Sequence, residues 1–163
     1  AAVLVTGGAG FIGFHACKRL LDRGRRVLCI DNFDTYYDPS IKRANAAELK
    51  QHPQFQLLEG DIRDRDLLSR AFEPGVDRVL HLAARAGVRP SIANPQLYFD
   101  VNVGGTLEIL EAMRRHGCRK LVFASSSSVY GNSPRVPFTE DDTAAEPISP
   151  YAASKRAAEL LCY

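Results

Sequence analysis

A tyrosine and a lysine lie four residues apart near the end of the chain, as Tyr151-x-x-x-Lys155. On a helix this spacing places both side chains on the same face. A tyrosine hydroxyl ordinarily ionises near pH ~10, and a neighbouring ammonium favours the ionised phenolate. The pair therefore has the chemistry of a base that takes a proton from a substrate hydroxyl. The same spacing also occurs in helices where both side chains simply face solvent.

Four consecutive serines, Ser125 to Ser128, follow an apolar run that predicts a strand over Cys118–Ala124. A polar loop from Gly131 to Pro150 separates the serines from a helix predicted over Tyr151–Tyr163. A serine hydroxyl close to the tyrosine could orient the substrate oxygen whose proton is taken. The strand and the helix must therefore bring these two groups together for the chemistry to work.

The beginning of the chain, AAVLVTGGAGFIG, contains a predicted strand, a glycine turn and a helix start. The apolar run Ala2–Val5 predicts a short buried parallel strand. Glycines let the backbone approach a pyrophosphate, and the helix that follows offers its free N–H groups to that anion. Two registers fit, Gly8-x-Gly10-x-x-Gly13 and Gly7-x-x-Gly10-x-x-Gly13. The turn predicts a dinucleotide site, and the alternative is a plain tight turn between strand and helix.

An acidic residue, Asp31, follows the second predicted strand, Arg26–Ile30. A Rossmann unit holds the adenosine ribose hydroxyls of its dinucleotide at this point. No arginine follows Asp31 directly to receive a 2′-phosphate, which favours NAD over NADP. Asp61, after the third predicted strand, could reach the adenine edge. The alternative interpretation of Asp31 is a turn or cap residue.

These residues depend on an alternation of strands and helices, which predicts a parallel, doubly wound α/β sheet with right-handed crossovers. We expect the strand order 3-2-1-4-5, with ligands at the carboxyl ends of the strands. The predicted strands are Ala2–Val5, Arg26–Ile30, Phe55–Leu58, Val76–Leu82 and Cys118–Ala124, and the predicted helices are Phe11–Arg23, Ile41–Gln51, Arg65–Phe72, Asn94–His116 and Tyr151–Tyr163.

Several polar residues within these elements have more than one interpretation. Asn102 either holds a loop backbone near the cofactor or is simply exposed. His81, alone on a buried strand, is interpreted as structural, and Lys42-Arg43 as a solvated helix face. Asp64 is expected to cap the third helix.

The apolar face is expected to comprise Ile12, Ala16, Leu20 and Leu21 in the first helix, and Leu97, Val101, Leu107, Leu110 and Met113 in the fourth. In the fourth helix Gly104-Gly105 predicts close contact with the sheet.

The composition is that of an ordinary globular domain, with 163 residues, 45% hydrophobic, 25% charged and a formal net charge of +2. This charge does not argue for nucleic acid or a membrane surface as a partner. No apolar run could span a bilayer and no secretory signal opens the chain, so we expect a cytoplasmic protein. The cysteines lack metal-ligand spacing and predict buried thiols in a reducing compartment; they are Cys17, Cys29, Cys118 and Cys162.

The motifs together resemble the extended short-chain dehydrogenases/reductases, and within them the NAD-dependent nucleotide-sugar epimerases. Their residues are Thr6-Gly-Gly-Ala-Gly-Phe-Ile-Gly13, Asp31, Asp61-Ile62, His81-Leu-Ala-Ala84, Ser125-Ser-Ser-Ser-Val-Tyr-Gly131 and Tyr151-Ala-Ala-Ser-Lys155. The stretches most similar to UDP-glucuronate 4-epimerases are Asn32–Asp38, Ala86–Arg89 and the four serines.

This resemblance implies a reaction and a role for each catalytic residue. Tyr151 would be the base and acid, Lys155 its charged partner and a ribose ligand, and Ser126 the catalytic serine. The implied reaction inverts C4 of a nucleotide sugar through a transient 4-keto intermediate, with NAD regenerated in each turn. The expected conversion is UDP-glucuronate to UDP-galacturonate.

The resemblance also implies the ligand-binding residues. The NAD ligands would be Gly7, Gly10, Phe11, Ile12, Gly13, Asp31, Asn32, Asp61, Ile62, Leu82, Ala83, Ala84, Tyr151 and Lys155. The sugar ligands would be Ser126, Ser127, Ser128 and Arg89, and no metal is expected.

The resemblance covers residues 1–163 but only the N-terminal half of such enzymes. The chain begins without Met and ends inside an apparent helix, so we expect an NAD-binding Rossmann domain truncated before later strands and a substrate domain. The parent enzyme is expected to be a homodimer that binds a UDP-sugar.

Related 4,6-dehydratases carry an Asp-Glu pair, and related decarboxylases a Glu, where this chain has Ser127-Ser128. This difference favours an epimerase. The alternative is an NAD-binding module without turnover of its own.

Overall fold

The computed structural model describes residues 1–163, which divide into two compact units. The first unit comprises residues 1–83 and 108–123, and the second comprises residues 84–107 and 124–163. The chain forms seven α-helices, none of which combines the length and apolar character needed to cross a membrane. They are α1 (Phe11–Asp22), α2 (Pro39–Leu49), α3 (Arg65–Phe72), α4 (Val88–Ala93), α5 (Pro95–Phe99), α6 (Gly105–His116) and α7 (Pro150–Cys162).

The first unit is built on five strands, β1 (Ala2–Thr6), β2 (Arg26–Asp31), β3 (Phe55–Glu59), β4 (Val76–His81) and β5 (Leu121–Phe123). They form one parallel sheet in the order β3-β2-β1-β4-β5. This order confirms the predicted doubly wound α/β fold. The last strand is shorter than predicted, since only Leu121 to Phe123 pair with β4, although the N–H of Val79 also donates to the Lys120 carbonyl at 2.8 Å.

The sheet of the first unit buries both of its faces, as a parallel sheet must. Leu4 of β1 lies in one apolar cluster with Leu68 of α3 and Ile109 of α6. Its neighbour Val5 points to the opposite face and lies in a second cluster with Leu21 of α1. Because successive strand residues alternate between faces, the all-apolar β1 serves both clusters at once. Its position at the centre of the sheet follows from this double burial.

Helix α1 packs on the sheet with part of the face that was predicted, since Leu21 is buried and Leu20 packs against the same apolar cluster. The buried positions are Gly13, Cys17 and Leu21, which follow one another at i, i+4 and i+8. Ile12, expected in the core, has 66% of its surface exposed. The apolar pattern misled the prediction because a glycine in the packing face contributes no hydrophobic signal.

The second unit contains two short helices. Helix α4 was not predicted, and helix α5 lies within the single helix predicted over 94–116. A π-helical turn over Asp100–Gly104 then interrupts the long helix predicted over 94–116. The expectation of a close contact at Gly104 is wrong, since a Cβ there would meet no atom nearer than the Phe99 carbonyl oxygen at 3.9 Å. The π turn, rather than close packing, is the structural feature at this glycine.

Candidate functional site

The glycine turn between β1 and α1 depends on three glycines, Gly7, Gly8 and Gly13, since a Cβ on each would lie closer than 3.0 Å to another group. Gly7 has φ of +71°, and a Cβ on it would approach the backbone nitrogen of Ala83 to 2.9 Å. A Cβ on Gly13 would overlap the carbonyl oxygen of Gly7, which also accepts the N–H of Gly10 at 3.2 Å. A Cβ on Gly8 would lie 2.5 Å from Sγ of Cys29, so the first glycine of either register is required by its surroundings.

The start of α1 has the properties of an anion site. Gly10 is the N-cap residue and offers no side-chain hydrogen bond to the first turn. Phe11 and Ile12, the first two residues of the helix, are exposed. A helix start of this kind presents backbone N–H groups without intrahelical partners and the positive end of the helix dipole. The turn and helix can therefore hold a pyrophosphate.

A buried hydrogen bond joins the ends of β1 and β4. The Thr6 hydroxyl oxygen accepts the backbone N–H groups of Leu82 and Ala83, both at 3.1 Å, and lies 2.6 Å from Nδ1 of His81. The Leu82 N–H is shared with the carbonyl oxygen of Thr6 at 3.2 Å. The contact between Thr6 and His81 supports the structural role predicted for His81.

Asp31 lies at the end of β2 and is hydrogen-bonded to the glycine turn. Its buried carboxylate accepts the N–H of Ala9 at 3.0 Å with one oxygen and the N–H of Phe33 at 2.9 Å with the other. Asn45 of α2 adds a bond to the Ala9 carbonyl at 2.9 Å. Phe33 itself has φ of 52°, a left-handed conformation that a bulky residue rarely adopts. Asp31 thus fixes both the turn and the loop after β2.

Asp61 lies at the end of β3, next to the end of β2. Its carboxylate accepts a bond from Asn32 at 3.3 Å and bonds from the Arg63 guanidinium at 2.8 and 2.9 Å. The hydrogen bond from Arg63 lowers the pKa of the Asp61 carboxyl below its ordinary value. The structure thus brings together Asn32 and Asp61, two of the residues predicted to hold the adenosine half of the cofactor.

The interpretation of Lys42 and Arg43 as a solvated helix face is wrong for Lys42, which is buried. Its ammonium donates to the Asp34 carbonyl at 2.9 Å and lies 4.6 Å from the centre of the Tyr37 ring. The Arg43 guanidinium lies 3.7 Å above the Phe33 ring. Both cations therefore shape the loop after β2. The aromatic residues just before two basic residues were the available signal for such contacts.

The second unit contains the predicted catalytic residues. Tyr151 and Lys155 lie one turn apart on α7, whose N-cap Ser149 accepts the N–H of Ala152 at 3.0 Å. Tyr151 is half-buried, whereas Lys155 is only 4% exposed. Burial lowers the pKa of the Lys155 ammonium to about 8. The exposed-pair interpretation is therefore wrong for Lys155.

The serine segment forms a short 3₁₀ turn over Ser127–Tyr130, which the sequence analysis did not predict. Ser126 caps this turn by accepting the N–H of Ser128 at 3.2 Å, and the two hydroxyl oxygens lie 3.1 Å apart. Ser127 is exposed. Arg89, also predicted as a sugar ligand, is exposed on α4 of the same unit.

Asn102 connects the loop before α4 to α7. Its amide oxygen accepts the N–H of Arg85 at 2.7 Å, and its amide nitrogen donates to the Arg85 carbonyl and to the Ser154 hydroxyl, both at 3.0 Å. Ser154 in turn donates to the Tyr151 carbonyl at 2.8 Å. Of the two interpretations of Asn102, the one in which it holds a loop backbone is confirmed, and the exposed one is wrong.

We expect the buried Lys155 to make stability depend on pH. The pKa of Lys155 is about 8 in the folded protein and 10.5 for an ordinary lysine, so unfolding takes up a proton between these values. The free energy of unfolding should therefore rise with pH across this window, by about 3 kcal/mol in total. Urea unfolding of the wild type and of Lys155→Met from pH 7.5 to 10.5 measures this difference.

The exposed Lys50 provides the matched control, because Lys50→Met removes an ammonium that solvent already stabilises. Lys50→Met should keep the wild-type pH dependence, and Lys155→Met should lose the rise between pH 8 and 10.5. Identical curves for the wild type and Lys155→Met would contradict the burial of a charged ammonium.

The glycine turn at the centre of a 3-2-1-4-5 sheet and the Tyr-x-x-x-Lys pair on α7 define a short-chain dehydrogenase/reductase fold. Residues 4–163 match the family model described as GDP-mannose 4,6 dehydratase, and the chain belongs to that family.

Three proteins illustrate what the chain is similar to. A UDP-glucuronate 4-epimerase of Thermodesulfobacterium geofontis is 48% identical over 98% of this chain and 50% of the relative. A mutant UDP-glucuronic acid 4-epimerase of Bacillus cereus, crystallised with UDP-4-deoxy-4-fluoro-glucuronic acid and NAD, is 37% identical. It superposes with a TM-score of 0.89 over 99% of this chain and 51% of that one.

The third similar protein has a different activity. A dTDP-glucose 4,6-dehydratase of Streptomyces venezuelae, crystallised with NAD, is 37% identical with a TM-score of 0.86, over 99% of this chain and 50% of that one. The chain thus spans about half the length of the proteins it matches. Epimerases and dehydratases share this half.

Proposed function

We propose that the chain supplies the cofactor-binding and catalytic residues of an NAD-dependent 4-epimerase that converts UDP-glucuronate to UDP-galacturonate. The observation that carries the proposal is the buried Lys155 one turn after Tyr151 on α7. A lysine is almost never fully buried unless it is paired, and this lysine shares a helix face with the tyrosine. The names of the similar epimerases point in the same direction.

In this proposal the side chains of the second unit carry out the proton transfer. Tyr151 takes the proton of the C4 hydroxyl, and Ser126 holds the same oxygen through a hydrogen bond. The positive charge of Lys155 favours the phenolate form of tyrosine. NAD, when bound, supplies the hydride acceptor for oxidation and the hydride donor for the return. The 4-keto sugar rotates between the two transfers, and Tyr151 returns a proton to the same C4 oxygen, now in the inverted configuration.

The backbone of the first unit has features that suit the binding of NAD. At Gly7 a side chain would run into the backbone after β4, and the uncapped start of α1 offers N–H groups to the pyrophosphate. Each oxygen of Asp31 accepts one backbone N–H, which leaves further lone pairs for ribose hydroxyls. We propose that the glycine turn, Asp31 and Asp61 hold the adenosine diphosphate part of NAD.

We predict that the protein binds NAD and discriminates against NADP. A 2′-phosphate would bring negative charge to the Asp31 carboxylate, and like charges at an interface cost several kcal/mol. Asp31→Ala should lose roughly 1–3 kcal/mol of NAD binding. Calorimetric titration with both dinucleotides measures this, with Asp66→Ala on the exposed side of α3 as the control. Equal affinity of the wild type for NAD and NADP would contradict the role of Asp31.

We predict that UDP-glucuronate is preferred over UDP-glucose. Ser127 and Ser128 provide hydroxyl donors and Arg89 a guanidinium, and charge-assisted hydrogen bonds to a carboxylate are roughly twice as strong as neutral ones. A hydroxymethyl group would leave part of these donors unpaired. The kcat/KM ratio should favour UDP-glucuronate by about 10- to 10²-fold. Equal values for the two sugars would contradict this assignment.

The test of the proposed function is product analysis. The protein, expressed with any sequence that follows residue 163 in its gene, is mixed with NAD and UDP-glucuronate, and the products are separated by chromatography. UDP-galacturonate supports the epimerase. A product that has lost carbon dioxide would indicate a decarboxylase, and one that has lost water a dehydratase. Bound NAD with no product would indicate a cofactor-binding module without turnover.

A further inference from the structure

We propose that Ser91 and Tyr98 are positioning residues that hold the catalytic Tyr151 by its backbone and by its ring, and that Ser91 couples Tyr151 to the helix carrying Arg89. The inference rests on the proposed function, in which Tyr151 is the base. All four residues belong to the second unit. Ser91 lies on α4 and Tyr98 on α5.

Ser91 is bonded to the backbone of Tyr151. Tyr151 is the second residue of α7, so its N–H has no partner within the helix. The Ser91 hydroxyl, which is fully buried, accepts this N–H at 3.0 Å and donates its own proton to the Val88 carbonyl at 2.5 Å. The serine therefore connects the first turn of α4 to the residue that is to act as the base.

Tyr98 contacts the ring of Tyr151. The two rings meet edge to face, with centroids 6.2 Å apart and planes at 83°. Tyr98 is buried, and its hydroxyl donates to the Ala86 carbonyl at 2.6 Å. This geometry is a favourable arrangement of two aromatic rings. It restricts the direction in which the Tyr151 ring, and hence its hydroxyl, can point.

These contacts have a consequence for substrate binding. Arg89 lies two residues before Ser91 on the same short helix. A substrate group that binds Arg89 and shifts α4 therefore also shifts the Ser91 hydroxyl that accepts the N–H of Tyr151. A misplacement of a reacting group by about 1 Å can cost roughly 10²-fold in rate. The bond from Ser91 thus makes the position of the base depend on the helix that carries the proposed sugar ligand.

The first test is amide hydrogen exchange, read at single residues in the protein with any sequence that follows residue 163. In the wild type the Tyr151 N–H should exchange at least about tenfold more slowly than the N–H of Ile12, at the uncapped start of α1. Ser91→Ala should remove this protection. Exchange at Tyr151 as fast as at Ile12 in the wild type would overturn the proposal, whatever the protein catalyses.

The second test compares two serines, Ser91 of α4 and Ser149 at the N-cap of α7, that each accept an N–H group from the first turn of α7. Ser149→Ala removes the bond to the Ala152 N–H and is the matched control, since it weakens the helix start without touching α4. Ser91→Ala should lower kcat for UDP-glucuronate roughly tenfold to 10²-fold, alter the pH profile of kcat and leave NAD affinity unchanged. Ser149→Ala should lower the free energy of unfolding about as much as Ser91→Ala does, but it should change kcat much less.

A conservative substitution separates positioning from folding. Ser91→Thr keeps the hydroxyl oxygen, so it should retain the slow exchange at Tyr151 and recover part of kcat. Tyr98→Phe keeps the ring but loses the bond to Ala86, so it should lower kcat less than Tyr98→Ala. Equal losses of kcat in Ser91→Ala and Ser149→Ala would overturn the coupling. An absence of epimerase activity in the wild type would overturn the proposed function, while the exchange experiment still decides whether Ser91 holds Tyr151.

Discussion

Replacing Tyr151 by phenylalanine is expected to abolish epimerisation while leaving NAD binding nearly intact. The substitution removes the hydroxyl that transfers the proton, and a positioned acid or base typically contributes about 10²–10⁴-fold to the rate. The ring, its edge-to-face contact with Tyr98 and the backbone bond to Ser91 are retained. The loss should therefore fall on kcat rather than on folding.

The measurement is the rate of UDP-galacturonate formation, combined with calorimetric titration of NAD. Tyr130→Phe is the matched control, because it also removes one phenol from the second unit while preserving the ring that stacks on Phe138 at 4.7 Å. Tyr130→Phe should keep near wild-type turnover. Near wild-type epimerisation by Tyr151→Phe would show that another group is the base.

Lys155→Ala is expected to behave differently from Tyr151→Phe, because the lysine has two proposed roles. In the proposed function it assists Tyr151 as the base, and its ammonium bonds the cofactor ribose. Both kcat and NAD affinity should therefore fall. The buried position of Lys155 also means that truncation leaves a cavity, so a stability measurement must accompany the kinetics.

The sheet was predictable from sequence because its signal is local and repeated. The apolar run after Ala1 has to be buried on both faces, and the alternation of strands with helices leaves few permitted topologies. Helix α3 was predicted with its observed bounds, and Asp64 caps it as expected, with bonds to the N–H groups of Asp66 and Leu67. Such caps lie within three residues of the groups they satisfy.

The contacts that complete the candidate site were not predictable in the same way. Ser91 bonds a residue 60 positions away, and Asn102 bonds one 52 positions away. No local pattern specifies such partners, because they depend on how α4 and the π turn pack on α7. Lys42 was misassigned for a related reason, since a lysine on a helix is ordinarily solvated, and its burial depends on the Asp34 carbonyl and the Tyr37 ring of the preceding loop. Motifs in the sequence therefore indicate candidate catalytic residues, whereas the residues that hold them become visible only in the fold.

The second large effect concerns the glycine turn. We expect Gly13→Ala to disrupt the turn and to weaken NAD binding by more than tenfold. A Cβ at this position would overlap the Gly7 carbonyl oxygen and lie 2.6 Å from the Gly8 Cα. Both are backbone atoms, so no side-chain rotation can relieve the clash. Either α1 moves away from the sheet or the turn is rebuilt, and overpacking of this kind costs about 1–3 kcal/mol or more.

Chemical denaturation and NAD titration of Gly13→Ala measure the two effects separately. Gly104→Ala is the control, because its Cβ would meet no atom nearer than 3.9 Å, and alanine is favoured over glycine in helical backbone by roughly 1 kcal/mol. Gly104→Ala should therefore be as stable as the wild type or more so. Since α1 must reach the Gly7 carbonyl to place its N–H groups beside the turn, loss of that approach removes the anion site even if the sheet persists. Wild-type stability and NAD affinity in Gly13→Ala would show that α1 does not need this contact to bind the cofactor.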